Sequence, residues 1–392
     1  MPGRSRYKIR SMQKNMPADQ FGPEYVVTIR DPQLDLTGFL VIHNTALGLG
    51  KGGIRMTADV SEEEIRRLAT VMTWKNSLAG IPFGGAKAGL RWTGGSEARK
   101  KELVQSFARA LKPFLIKKYI AGPDVQSGEK EMQWFAEAAG RWQTATGKPK
   151  HYCIATATGK RCGIPHEFGS TGFGVAHAAR VAANVMGLDI HGAEVAIHGF
   201  GNVGTFAFQY LAGLGAKITV LADHAGAVHV PQGFDPRIVA KLIEKRQPIA
   251  RYPRGKKVKS ADFWKIPTDI LIPASVTDVI NDGNKKMIRT KLIVEGGNIP
   301  MREKIEEEFF RQGVVVVPDF VANAGGVISS YAEYRGYSPA KMFKLVEERI
   351  VRATAAVMRR ALAKKENPRK VAMDLARARV EKAMAKRRQT FS

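Results

Sequence analysis

At 392 residues, with 44% hydrophobic and 25% charged content, the chain has the makeup of an ordinary globular protein and the length for about two or three domains of ~100–200 residues each. No apolar run approaches the ~20 residues of a membrane span, and the opening "MPGRSRYKIR" lacks the apolar core of a secretory signal, so no membrane is expected as a partner and the expected location is cytoplasmic. Lys and Arg number 62 against 36 Asp and Glu, which leaves a net charge of +26, a field that draws in polyanions and small anionic substrates alike.

"EYVVTIRD" and "LTGFLVIHN" read as paired strands, and "SEEEIRRLATVMTWKNSLAG" reads as a helix. In that helix Ser61 and Glu64 have the spacing of a capping box, while Ile65, Leu68, Ala69 and Met72 recur at i, i+3, i+4 and i+7 as a buried stripe. Lys75 falls on the same stripe. Two more helices are expected near 97–118 and 128–140. Around these elements three lysines sit in or beside glycine-rich or buried segments: Lys51 in "GLGKGGIRM", Lys75, and Lys87 in "GIPFGGAKAGL". An ammonium held in dry surroundings loses solvation of its charged form, so its pKa falls and it can serve as a base. The alternative for Lys87 is a solvated residue at a loop tip. "AGPDVQSGEKEMQW" then supplies Asp124.

His151, Cys153, Cys162 and His166 gather in one short stretch, but their spacing fits no standard zinc site, so no metal is expected and the stretch reads as an ordinary loop. The two cysteines are read as giving no disulfide framework, in keeping with a reducing compartment. A domain boundary is expected near 165–170.

From residue 195 onward short β-branched runs alternate with helical stretches: "AKITVLAD", "TDILIPAS", "KLIVEGGN" and "GVVVVPDF" are strands, "TFAFQYLAGLG" and "MREKIEEEFFRQG" helices. This implies a parallel, doubly wound sheet. "EVAIHGFGNVG" carries G-x-G-x-x-G through Gly199, Gly201 and Gly204, with Asn202 and Val203 between, at a strand–turn–helix junction. Glycines there make the tight turn and let backbone approach a pyrophosphate at the helix N-terminus. Asp223 ends the next strand, where an acid accepts hydrogen bonds from ribose hydroxyls. The pattern points to NAD or NADP, with NAD favoured because no arginine follows Asp223, although His224 offers a contact for a 2′-phosphate. Residues 341–392 hold 16 cations against 5 acids, yet Val371, Leu375, Val380 and Met384 recur near helical spacing. This is a basic solvated helix face. With neither aromatic-interleaved basic patches nor zinc-finger spacing, nucleic acid is not expected as a partner.

In the order "KGGIRM", "MTWKNSLAGIPFGGAKAG", "GPDV", "GSTGFG", "GFGNVG", "EGGNIP" and "PDFVANAGGVISS", from about residue 20 to the C-terminus, the chain resembles the glutamate dehydrogenases of the Glu/Leu/Phe/Val dehydrogenase family. The resemblance implies an α/β fold of two domains flanking a cleft. Residues 1–168, joined by the C-terminal helix 366–392, would form an α/β substrate-binding and oligomerisation domain, and residues 169–365 a Rossmann-like dinucleotide domain. It implies the reversible conversion of L-glutamate to 2-oxoglutarate and ammonia by a homo-oligomer, commonly a hexamer. By motif position Lys75 would bind the α-carboxylate, Lys51 and Ser330 the side-chain carboxylate, Lys87 would activate water, and Asp124 would shuttle the amino-group proton. Thr171 and Asn323 would contact the nicotinamide carboxamide, with Asn298 near its ribose.

Relatives acting on apolar amino acids carry an apolar residue where Lys51 stands, and an apolar substrate would leave that ammonium unpaired. A branched-chain or aromatic amino-acid dehydrogenase and a non-catalytic, nucleic-acid-binding relative are the alternatives. Three departures from the family pattern stand out: "GKRCGIPHEFGSTG" lacks the arginine of "GGSLGR", Gly297 replaces a usual alanine, and the segment before residue 20 is shorter than the family's N-terminal helix.

Overall fold

The computed structural model describes residues 19–157 and 159–391, so the expectations about the first residues of the chain lie outside it. Contacts divide the chain into two units. The first contains the described residues up to Pro165, Ser329–Met342 and those from Ala376 onward; the second contains His166–Ile328 and Phe343–Leu375.

In the first unit, strands β1 (Tyr25–Asp31) and β2 (Leu36–Asn44) pair antiparallel from Tyr25↔Ile42 to Asp31↔Leu36. Next come β3 (Gly50–Thr57), helix α1 (Glu62–Leu78), β4 (Gly84–Arg91), α2 (Glu97–Ala110), β5 (Tyr119–Pro123) and α3 (Glu129–Ala139). The sheet order is β1-β2-β4-β3-β5, with β3 parallel to both its neighbours. The Ser61 hydroxyl accepts from the Glu64 N–H at 3.2 Å and starts α1, whose first turn holds three glutamates that complement the helix dipole. Of its expected stripe, Ile65 and Ala69 are buried and Leu68 and Met72 half-buried. One core contains Leu40, Ile54, Phe107, Met132 and Phe135, which joins the sheet to α2 and α3.

Beyond α3, β6 (Cys153–Thr156) and β7 (Gly159–Cys162) form an antiparallel hairpin. This corrects the sequence reading of the cysteines. Cys153 and Cys162 are register partners across that hairpin and are joined by a disulfide. Strand pairing in a segment with no hydrophobic alternation brought them together, and both thiols are committed to each other rather than to a metal.

The second unit begins with α4 (Ser170–Val185), β8 (Glu194–His198), α5 (Asn202–Gly213), β9 (Lys217–Asp223), β10 (Gly226–His229) and α6 (Pro236–Glu244). It continues with β11 (Lys256–Val258), β12 (Ile270–Pro273), β13 (Leu292–Val294), α7 (Glu303–Arg311), β14 (Val315–Val317) and α8 (Asp319–Ala322). The sheet order is β11-β10-β9-β8-β12-β13-β14. The five strands from β9 to β14 in that order are parallel, as the alternating pattern requires. β10 and β11 are antiparallel and modify the expected all-parallel sheet. Only His224 and Ala225 separate β9 from β10, too few for the dozen or so residues of a parallel crossover. Exposed Lys256 and Lys257 lie on the outer strand, where charge discourages edge pairing.

Three helices complete the chain: α9 (Gly325–Tyr334), α10 (Pro339–Lys364) and α11 (Pro368–Phe391). Val371 and Val380 of α11 are buried, Leu375 and Met384 half-buried, and most of its cations face solvent. Among the described residues no helix is long and apolar enough to cross a membrane.

Candidate active site

Side chains alternate along a strand, so Lys51, Gly53 and Arg55 share one face of β3. The register Lys51↔Gly85 and Ile54↔Ala88 sets Lys87 of β4 beside Gly53, and Asp124 follows the last residue of β5. Lys87 is buried, and its Nζ lies 2.7 Å from Oδ2 of Asp124. The loop-tip alternative for Lys87 is therefore ruled out: it occupies a buried sheet strand. Arg55 holds the same Asp124 oxygen through Nε at 3.3 Å and Glu64 through Nη1 at 2.5 Å. Burial pushes the Asp124 carboxyl up, but Lys87 and then Arg55 outweigh it and hold the group below its ordinary value. Asp124 is thus a carboxylate at neutral pH, with a cation on either side.

Lys51 is 3% exposed and donates to the Ala121 carbonyl at 2.8 Å. Burial lowers its pKa from 10.5 to about 7; the Glu333 carboxylate opposes that fall, and Lys148 and Lys87 add to it. Gly122 makes the room: a Cβ there would stand 2.3 Å from the Lys51 nitrogen. Lys75 occupies the last turn of α1 and is half-buried. Its neighbour Asn76 ties that turn to the strands, donating to the carbonyls of Gly84 at 2.7 Å and Lys51 at 3.4 Å. Ser330 is buried on α9, which Phe83, just before β4, contacts edge-on through Tyr331 and Tyr334.

Sequence reasoning missed three charged residues here. Arg55 was legible in principle, four residues after Lys51 on one strand face. Lys148 and Glu333 were not, since both are fully buried and nothing local to either forecasts the other. Their Nζ and Oε1 lie 2.5 Å apart.

In the second unit, β8 runs into Gly199, whose φ of 100° suits glycine, and Gly201 caps α5. Gly204 lets the helix close onto the turn, because a Cβ there would stand 1.9 Å from the Gly199 carbonyl oxygen. The N–H groups of Asn202, Val203 and Gly204 thus belong to a helix start without side-chain capping at Gly201, the arrangement that receives a pyrophosphate. Asp223 ends β9 and accepts from the N–H groups of Ala225 at 2.8 Å and Ile249 at 2.6 Å, one on each oxygen. A carboxylate has about four lone-pair positions, so ribose hydroxyls can still be accommodated.

Asn323 follows α8 and donates to the Asn298 side chain and the Gly297 carbonyl, each at 3.0 Å. Thr171 lies near this place: a Cβ on Gly326, three residues past Asn323, would meet its hydroxyl at 3.1 Å. Beneath them is a network that sequence reasoning also missed. Arg369 pairs with Glu306 at 2.6 Å, Glu295 at 2.9 Å and Asp319 at 3.2 Å. Asp319 accepts from the Ile299 N–H at 3.0 Å and gives its own N–H to Glu295 at 2.8 Å. Burial, then Glu306 and Asp319, push the Glu295 carboxyl well up, while Arg369 opposes them. The network fixes both the loop bearing Asn298 and the short helix that Asn323 caps.

Two family descriptions match the chain: the Glutamate/Leucine/Phenylalanine/Valine dehydrogenase over residues 162–388 and the Glu/Leu/Phe/Val dehydrogenase dimerisation domain over 23–141. The NADP-specific glutamate dehydrogenase of Saccharolobus shibatae is 36% identical, over 88% of this chain and 84% of its own length. The NAD-specific glutamate dehydrogenase of Clostridioides difficile is 32% identical, over 76% and 72%. Among solved structures, a hetero-hexameric glutamate dehydrogenase from Thermus thermophilus in a leucine-bound form superposes with a TM-score of 0.78 at 25% identity, covering 93% of this chain and 90% of that one.

Proposed function

The chain belongs to the Glu/Leu/Phe/Val dehydrogenase family, and from that premise we propose that it catalyses the reversible oxidative deamination of L-glutamate to 2-oxoglutarate and ammonia with NAD or NADP. The observation that carries the reading is the ion pair between buried Lys87 and half-buried Asp124, at the end of β5, beside the sheet that also buries Lys51. A dicarboxylic amino acid needs separated cations for its two carboxylates and an acid–base pair at its amino-bearing carbon. Lys75 binds the α-carboxylate, and Lys51 with Ser330 binds the side-chain carboxylate.

When bound, the dinucleotide would supply a hydride acceptor for the substrate Cα, and the amino-bearing carbon would become an iminium. Asp124 removes a proton from the substrate ammonium beforehand and returns one to the departing amine. Lys87, having released its proton to solvent, takes one from the water that attacks the iminium carbon; once Asp124 has protonated the amine, its carboxylate accepts the carbinolamine hydroxyl proton as the carbonyl forms and ammonia leaves. Gly199, Gly201, Asn202, Val203 and Gly204 present backbone to the pyrophosphate. Asp223 accepts from the adenosine ribose, Asn298 lies by the nicotinamide ribose, and Thr171 and Asn323 hold the carboxamide. These residues suit a dinucleotide because the helix start has no side-chain cap and Gly199, Gly201 and Gly204 stand where backbone must come close to the ligand or to the turn.

A homo-oligomer, a hexamer by the resemblance, and a cytoplasmic location complete the reading. Light scattering on purified protein tests the first. Activity is tested by following reduced nicotinamide with glutamate or leucine against NAD or NADP. Turnover of leucine in preference to glutamate would overturn the substrate assignment.

A further inference from the structure

Glu333 poses a question for the proposed role of Lys51. It is a buried carboxylate whose charge acts on the Lys51 ammonium, the group proposed to meet the substrate side-chain carboxylate. We propose that Lys148 is a specificity-determining residue: by holding Glu333 in a buried ion pair it keeps that carboxylate from neutralising Lys51, and so leaves Lys51 for an anionic substrate side chain. The inference rests on the assignment of Lys51 made above.

The geometry is a single connected cluster. The Ala121 carbonyl accepts from the Lys51 ammonium at 2.8 Å and from the Thr146 N–H at 3.1 Å. The next residues in the chain are Gly147, whose N–H donates to Oε2 of Glu333 at 2.7 Å, and Lys148, whose ammonium lies 2.5 Å from Oε1. The Ile164 N–H donates to Oε2 at 2.9 Å. Lys148 also donates to the Ala145 carbonyl and stands 3.6 Å from the centre of the Trp142 ring, so its position is set from three sides. Glu333 lies three residues after Ser330 on α9, on neighbouring positions of one helix face.

The charge count gives the consequence. Lys87 faces Lys51 too, but its charge is matched by Asp124. What remains is two ammoniums, Lys51 and Lys148, and one carboxylate, Glu333, all in a dry interior. That set is one negative charge short, and a substrate carboxylate supplies it. Without the Lys148 charge the set is already neutral: Glu333 turns to Lys51, and an incoming carboxylate meets repulsion instead of an unmatched cation.

The test compares Lys148→Met, Glu333→Gln and the double variant, using glutamate and the uncharged straight-chain analogue norvaline, which ends in a methyl where glutamate has its side-chain carboxylate. Lys148→Met is expected to raise KM for glutamate by about tenfold or more and to leave kcat/KM for norvaline within about threefold. The double variant removes the competing carboxylate and is expected to recover most of the glutamate affinity, which a merely structural role for Lys148 would not predict. Equal KM for glutamate in Lys148→Met and the double variant, or equal losses on both substrates, would overturn the inference. Should Lys148→Met fail to fold, Glu333→Gln alone decides: the pH above which glutamate KM climbs must move down, since Lys51 loses the charge that favours its protonated form, and an unmoved midpoint overturns the inference. Lys51→Met separates the two levels. If it loses glutamate selectively while Lys148→Met does not, only the inference about Lys148 falls; if it loses both substrates alike, the assignment of Lys51 falls as well.

Discussion

Lys51 gives the sharpest prediction, because its charge state is set within the range of an ordinary assay. Its pKa of about 7 means that in the unliganded protein it is cationic below neutrality and loses its proton as pH rises. At pH 9 roughly one molecule in a hundred retains the charge, so kcat/KM for glutamate relative to norvaline is expected to fall by about tenfold per pH unit above about 7. Taking the ratio cancels the titration of the reacting amino group and of every other group the two substrates share. Lys51→Met removes the cation outright. A charge-assisted contact in a buried site is worth ~2–4 kcal/mol, or ~30–1,000-fold in kcat/KM, for glutamate and close to nothing for norvaline. The assay is initial-rate kinetics of both substrates from pH 6 to 9 on wild type and variant. A glutamate-to-norvaline ratio that stays flat with pH in the wild type, or a kcat/KM that falls equally for both substrates in Lys51→Met, would refute the reasoning.

Three further outcomes are expected. Lys87→Ala and Asp124→Asn should each lower kcat by ~10³-fold or more while coenzyme affinity, measured by nicotinamide fluorescence, stays within about twofold; a lysine variant keeping more than about a tenth of wild-type turnover would remove Lys87 from the chemistry. Arg369→Met leaves Glu295, Glu306 and Asp319 without their common cation, so it should cost about 3–5 kcal/mol by denaturant unfolding and raise the coenzyme KM more than the glutamate KM; coenzyme binding as tight as in the wild type would show that the network does not position Asn298 and Asn323. His198, stacked on Trp264 and bonded to Ser275, is pushed by burial down to about 4, so it is neutral in the folded protein where an unfolded histidine is charged. Its contribution is present above the unfolded value near 6.5 and is lost as pH falls from there to about 4, up to about 3 kcal/mol; a His198→Gln protein whose stability drops just as steeply over that window would refute this.

Much of the molecule was legible because its signals are local. The Ser61 cap, the Ile65–Ala69 stripe, the β-branched runs of the parallel strands and the glycine turn from Gly199 to Gly204 each depend on residues within a few positions of one another, and backbone sterics and side-chain periodicity act at that range. The antiparallel β10–β11 edge was not anticipated because Gly226–His229 and Lys256–Val258 are too short, and the latter too charged and exposed, to stand out as β-branched runs. The Cys153–Cys162 bridge was misread for a related reason: two four-residue strands without alternation announce no hairpin, and register alone brought the thiols together.

By itself the sequence determined which residue types stand as candidates for the chemistry: Lys51, Lys75, Lys87 and Asp124 in glycine-rich or apolar settings, and a glycine turn ahead of a helix. Only the tertiary structure decided their charges. Asp124 is a carboxylate because Lys87 and Arg55 reach it from two other segments of the chain, and Lys51 titrates near neutrality because burial outweighs Glu333, which is more than 280 residues away along the chain. A pKa is a sum of desolvation and of charges within a few ångströms, and in a folded chain those neighbours are chosen by strand register and helix packing, not by proximity in sequence.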